Sequence, residues 1–163
     1  MPPEDAQDVV KQLTQRRLTV ATAESLTAGM LSSVIAAVPG ASAVLQGGIV
    51  AYNNTVKHRL LGVSADTLAA RGAVDSDTAK QMATGVRDRL DADIGIATTG
   101  VAGPEPSEGK AVGIVFIALS TVDDTVAKLL RFDGTRQHIR EATVAASLQL
   151  VAEWLERSPN SKS

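Results

Sequence analysis

The sequence predicts a single-domain α/β protein, a mixed sheet of about five strands with helices packed on its faces. Three observations carry this. The chain has 163 residues, and 44% of them are hydrophobic, which supplies one sizeable core. Strand-like and helix-like apolar patterns alternate and then give way to two adjacent strand-like runs. No linker, repeat or low-complexity stretch divides the chain, so residues 1–163 read as one domain with its core at 5–155.

The elements follow in order. From Glu4 to Arg17, apolar Val9, Val10 and Leu13 stand among charges, as on an amphipathic surface helix. Leu18 to Thr22 reads as a short strand. Ser25 or Thr27 then suits the cap of a helix whose apolar positions Met30, Leu31, Val34, Ile35 and Val38 recur until Pro39-Gly40. Val44 to Tyr52 is a second strand, with a bulge or close backbone approach expected at Gly47-Gly48. A short helical piece covers Lys57 to Leu61. Asp75 to Leu90 is the clearest helix, with Ala79, Met82, Ala83, Val86 and Leu90 on one face and Asp75 or Ser76 as its cap. Asp93 to Thr98 is strand-like, and Val112 to Leu119 is an apolar run suited to a covered sheet. Asp123-Asp124 turns it into Val126 to Phe132, an antiparallel hairpin. The last helix, Arg136 to Leu155, is followed by a polar tail, 158–163, expected to fray.

Composition excludes several functions. Sixteen basic and eighteen acidic residues give a net charge of −2, and aromatics are 2% of the chain, so neither phosphate steering nor base stacking is provided for. Nucleic acid is not an expected partner. No apolar run has the length of a membrane span, and the acidic start is unlike a secretory leader, which points to the cytoplasm. Cysteine is absent, which removes thiol catalysis. Asp75 with Asp77, and Asp91 with Asp93, read as helix ends rather than metal ligands, so no metal is expected. Phe116, Phe132 and Trp154 are read as core. Exposed helix faces suit a homo-oligomer.

Three segments are rich in chemistry: 23–29 after the first strand, 52–57 after the second, and 98–110 after the third. In such sheets ligands bind beyond the strand ends, where these loops converge. Ser25, on a strand-to-helix turn, is either a cap or a nucleophile beside free N–H groups at the helix start. His58 and His138 lie in polar helical contexts, so a Ser-His-Asp triad has little support. The alternative base is Lys57, provided burial lowers its pKa, and a surface lysine is the simpler reading of the same residue. Thr98-Thr99-Gly100-Val101-Ala102-Gly103-Pro104 ends a strand with hydroxyls and glycines that let the backbone approach a ligand, or it is a plain turn. It lacks both the P-loop and the dinucleotide fingerprint. Arg136 and Arg140, four apart, share a helix face and would clamp a phosphate or carboxylate, or stay solvated.

Taken together, the blocks at 23–29, Tyr52-Asn53-Asn54 with Lys57 and Leu60-Leu61-Gly62-Val63, Gly72-Ala73-Val74, Thr99 to Pro104, and Phe132 to Arg136 resemble the CinA C-terminal domain family in order and spacing. The resemblance spans about Asp5 to Leu155. That family includes nicotinamide mononucleotide deamidases, which release ammonia and nicotinate mononucleotide in pyridine nucleotide salvage and need no cofactor. It implies Ser25 as nucleophile and Lys57 as base, with Tyr52 and Thr99 completing the catalytic group. Thr27, Gly29, Gly100, Gly103, Arg136 and Arg140 become the implied substrate-binding residues. The sequence departs from the family pattern where Glu105 to Ala111 replaces a glycine-rich stretch, and where Asn53 replaces a serine. Acids beside a phosphate site would weaken binding or change the preferred substrate. The alternatives are a non-catalytic nucleotide- or protein-binding module and an amidase for another small substrate.

Overall fold

The computed structural model describes residues 3–158, and the tail expected to fray lies outside them apart from Ser158. Five strands form one sheet in the order β2-β1-β3-β4-β5: β1 (Val20–Glu24), β2 (Leu45–Val50), β3 (Ile94–Gly100), β4 (Ile114–Ser120) and β5 (Thr125–Arg131). β1 pairs parallel with β2 and β3, and β3, β4 and β5 continue antiparallel. This is the mixed sheet with a terminal hairpin that the sequence predicts.

Six helices cover both faces: α1 (Glu4–Arg16), α2 (Met30–Ala36), α3 (Asn54–Leu61), α4 (Ala65–Arg71), α5 (Ser76–Arg89) and α6 (Arg136–Arg157). The two faces are built differently. On one, α1, α2 and α6 pack Val9, Leu13, Leu31, Ile35, Ile139 and Leu148 against branched strand residues such as Val20, Ile94, Ile96, Val115 and Ile117. On the other, α5 sets Ala79, Met82, Ala83 and Val86 over the small strand residues Ala21, Ala23, Ala97 and Ala118. Alternation along β1 and β3 directs Val20, Ile94 and Ile96 one way and Ala21, Ala23 and Ala97 the other. Phe132 and Trp154 pack against the first cluster and Phe116 against the second, as core residues.

Several boundaries differ from expectation. β1 starts and ends two residues later than predicted, because the left-handed Arg17 (φ 57) turns the chain and Leu18 N–H still bonds the helical carbonyl of Leu13. The bulge in β2 falls at Gln46, where pairing passes from Val20 with Leu45 to Ala21 with Gly47. Close approach occurs at Gly48, where a Cβ would collide with the hydroxyls of Thr22 and Ser32. The α3 helix begins at Asn54, capped by Asn53 accepting from Thr55 N–H at 2.8 Å, so Lys57 lies inside it rather than at its start. No pattern in the sequence marks the α4 helix. It is held by its Ser64 cap and buries no residue, so no apolar period announces it.

The parallel strands fix where a site can form. Register brings Glu24 beside both Val50 and Thr98, and Gly100 beside Val115. The segments leaving β1, β2 and β3 therefore emerge at the same edge of the sheet.

Candidate active site

The chain after β1 makes a tight, buried turn. Ser25 N–H donates to Thr98 O at 3.0 Å, and Ala28 N–H closes the turn on Ser25 O at 3.1 Å. Neither Ser25 nor Thr27 caps α2. Gly29 occupies that position at φ 97, with no side-chain cap. The first N–H groups of the helix are satisfied from behind. Glu24, 1% exposed, accepts from Leu31 N–H at 2.7 Å, Ser32 N–H at 3.1 Å and Ser32 Oγ at 2.9 Å. An internal carboxylate thus fills the helix start that the sequence offered to an oxyanion. The Ser25 hydroxyl is left free of capping duty.

Lys57 turns inward from α3 and is 1% exposed. Its Nζ lies 2.9 Å from Ser25 Oγ, 2.8 Å from Ala51 O and 3.1 Å from Tyr52 O. Burial without a salt-bridging carboxylate disfavours the ammonium and lowers its pKa to about 8, and the negative charge of Glu108 offsets part of that effect. Two of the three neighbours are carbonyls, which only accept. A neutral amine has two N–H bonds and one lone pair, so once both hydrogens go to Ala51 O and Tyr52 O, the lone pair faces Ser25 Oγ. In its neutral form Lys57 would thus present its lone pair to one hydroxyl, that of Ser25.

A cavity of about 510 Å³ opens over this pair. Its wall includes Ser25, Leu26, Tyr52, Asn53, Lys57, Ala73, Thr99, Gly100, Gly103, Glu105, Glu108 and Arg136. Arg136, the first residue of α6, donates to Gly103 O and, at 2.8 Å, to Tyr52 Oη, joining the loop after β3 to the one after β2. Thr99 Oγ donates to Ala73 O at 2.7 Å, and Ala73 N–H donates to Glu108 at 2.8 Å.

Most of the sequence-predicted residues meet here, some in other roles than expected. Tyr52 reaches the lysine through its carbonyl, while its phenol meets Arg136. Thr99 lines the cavity but spends its hydroxyl on Ala73. Gly100 lies under the cavity, yet the close contact that demands glycine is with β4: a Cβ would stand 2.7 Å from Val115 Cγ2. Three residues do not line the cavity. Thr27 is buried, its hydroxyl 2.8 Å from that of Thr98. Gly29 serves α2. Arg140 points beneath the turn, donating from Nε to Leu26 O at 2.8 Å and from a terminal nitrogen to Thr27 O at 3.3 Å. His58 and His138 are exposed and outside the cavity wall. The sequence reading missed Glu24 as the turn's anchor. Its signal is a carboxylate ending a strand of otherwise small, uncharged residues.

The family model of the CinA C-terminal domain matches residues 4–155. The chain belongs to the CinA C-terminal domain family. A CinA-like protein of Frankia casuarinae is 50% identical over 154 residues, covering 94% of this chain and 36% of that protein. This CinA C-terminal domain thus spans about a third of the length of such curated relatives. Among solved structures, a CinA superfamily protein from Klebsiella pneumoniae superposes with a TM-score of 0.93 at 31% identity, covering 95% of this chain and 98% of that one. The competence/damage inducible protein CihA from Agrobacterium tumefaciens gives 0.87 at 35% identity, covering 96% and 98%.

Proposed function

We propose that the domain is an amidohydrolase that converts nicotinamide mononucleotide to nicotinate mononucleotide and ammonia. The observation that carries this is the buried Lys57 Nζ at 2.9 Å from Ser25 Oγ with its other acceptors supplied by the backbone. Support for the substrate comes from the CinA-family resemblance of the motifs around both residues and from a cavity sized for a small nucleotide.

In this reading neutral Lys57 takes the Ser25 proton as Oγ attacks the carboxamide carbon. The resulting ammonium returns its proton to the amide nitrogen as the C–N bond breaks, and ammonia leaves. Water, deprotonated by Lys57, then cleaves the ester and restores Ser25. Because Glu24 occupies the α2 start, oxyanion stabilisation falls in this reading to backbone N–H groups of cavity-lining residues such as Leu26, Ala102 and Gly103. Arg136 offers the substrate phosphate its remaining guanidinium donors.

The test is release of ammonia and nicotinate mononucleotide from nicotinamide mononucleotide by purified protein. Wild type should turn over, and Ser25→Ala should lose activity by at least about 100-fold. Equal activity in Ser25→Ala overturns the mechanism. Binding without product assigns the domain to non-catalytic ligand recognition instead.

A further inference from the structure

The cavity wall carries as many acidic as basic side chains. Its basic side chains are Lys57 and Arg136, and its acidic ones are Glu105 and Glu108. When Lys57 is neutral, as a base must be, Arg136 is the cation left facing two carboxylates. The Glu108 carboxylate is also fixed. Ala73 N–H donates to it at 2.8 Å, Ala73 O is in turn held by Thr99, and a Cβ on Gly72 would overlap its oxygen. The residue adopts a left-handed backbone (φ 51) to make this contact. Glu108 is thus anchored to the 72–73 wall of the cavity, whereas Arg136 is anchored on Tyr52 and Gly103.

A fixed carboxylate beside a carboxamide-cleaving pair contributes nothing to a neutral amide. It repels a substrate whose only charge is phosphate. It attracts an amide borne on a positively charged ring, and such a ring also withdraws electrons from the carbonyl and makes it a better electrophile. After hydrolysis, the new product carboxylate meets the same negative wall, which favours its release.

Resting on the amidase reading above, we infer that Glu108, with Glu105, selects substrates whose scissile carboxamide sits on a permanently cationic pyridinium ring, leaving neutral aromatic and aliphatic amides outside the substrate class. Glu108 is here a specificity residue. It does not touch the reacting atoms.

Calorimetry in the Ser25→Ala background separates binding from turnover. The probes are nicotinamide mononucleotide and its reduced form, which keeps amide, ribose and phosphate but has a neutral ring. A second pair is 1-methylnicotinamide and nicotinamide. The member of each pair with the cationic ring should bind about tenfold tighter at low salt, with the preference shrinking as ionic strength rises. Glu108→Gln keeps an oxygen for Ala73 N–H while removing the charge, and it should erase most of the preference with an unchanged melting temperature. Equal binding within each pair, a preference that survives in Glu108→Gln, or failure of all four probes to bind overturns the inference. The amidase reading fails separately. If ammonia release is absent while the charge preference and its loss in Glu108→Gln persist, the ligand class stands and the hydrolysis does not.

Discussion

The turn after β1 and the loop after β3 border the same cavity and are built on opposite principles. The turn is interior: Glu24, Ser25 and Thr27 are all buried, and their polar groups are answered by Leu31, Ser32, Lys57 and Thr98. The segment Pro104 to Gly109 is exposed and charged, and its Glu108 is tied to the neighbouring wall through one backbone N–H. In the first region, low dielectric makes each hydrogen bond strong and each loss costly. In the second, solvent screens the charges, and substitutions change what binds more than whether the protein folds. The proposed chemistry thus sits where substitutions cost the most stability, and the inferred selectivity where they cost the least.

Lys57 gives the largest expected effect and the sharpest break between stability and activity. Replacement by Met keeps the stem and removes the base, so amidase activity should fall at least about 100-fold. Stability should not follow. A lysine whose pKa drops from 10.5 to about 8 on folding is an unfavourable burial of charge at neutral pH, of order 3 kcal/mol. The unfolded chain binds a proton that the folded chain lacks between those two values, so wild-type stability should climb from about pH 8 toward 10.5. In urea titrations at pH 7, Lys57→Met should match or exceed wild type, and the difference should narrow above pH 8. A strongly destabilised Lys57→Met would show that the residue is structural first.

Glu24 tests the interior region from its other side. Glu24→Ala strands the N–H groups of Leu31 and Ser32 in a buried setting, at about 1 to 3 kcal/mol for each unsatisfied group. Urea unfolding should register a loss of that order. Since Ser25 follows directly in the chain, kcat should fall while KM for any substrate bound through the outer loop changes little. Glu24→Gln, which retains one acceptor oxygen, should lie between. A variant of either kind with wild-type stability would mean that solvent replaces the carboxylate and that the turn is less closed than its burial indicates.

The order of elements was legible because burial enforces short apolar runs in β3 and β4 and a 3.6-residue apolar period in α5 and α6. The α4 helix is illegible for the complementary reason: no residue of it is fully buried, and Leu68 packs only partly against the core. Within the site, spacing could not pair Ser25 with Lys57, since they meet only through the parallel pairing of β1 with β2. The resemblance of several motif blocks supplied that proximity. Arg136 and Arg140 are indistinguishable by spacing, but one helical turn places the first at the cavity and the second under Leu26 and Thr27. Glu24 is hidden because its partners lie seven and eight residues later, in a helix whose capping pattern points to Ser25 or Thr27.

The smallest effect joins the two regions. If Lys57 acts as the neutral base, kcat/KM should rise with pH and reach half its plateau near pH 8, where the lysine loses its proton. Glu108 stabilises the ammonium form and so raises that pKa against the larger lowering by burial. Removing its charge in Glu108→Gln should shift the alkaline-rising limb toward lower pH, so that, relative to its own plateau, the variant is more active under mildly acidic conditions. The carboxylate is solvent-exposed, so added salt should reduce the shift in wild-type comparisons. A limb that moves upward, or a wild-type profile flat between pH 6 and 9 (roughly the window over which such a base would titrate), would separate Lys57 from proton transfer. A limb that stays fixed in Glu108→Gln would instead confine the outer loop to substrate selection and leave the tuning of the base entirely to its burial.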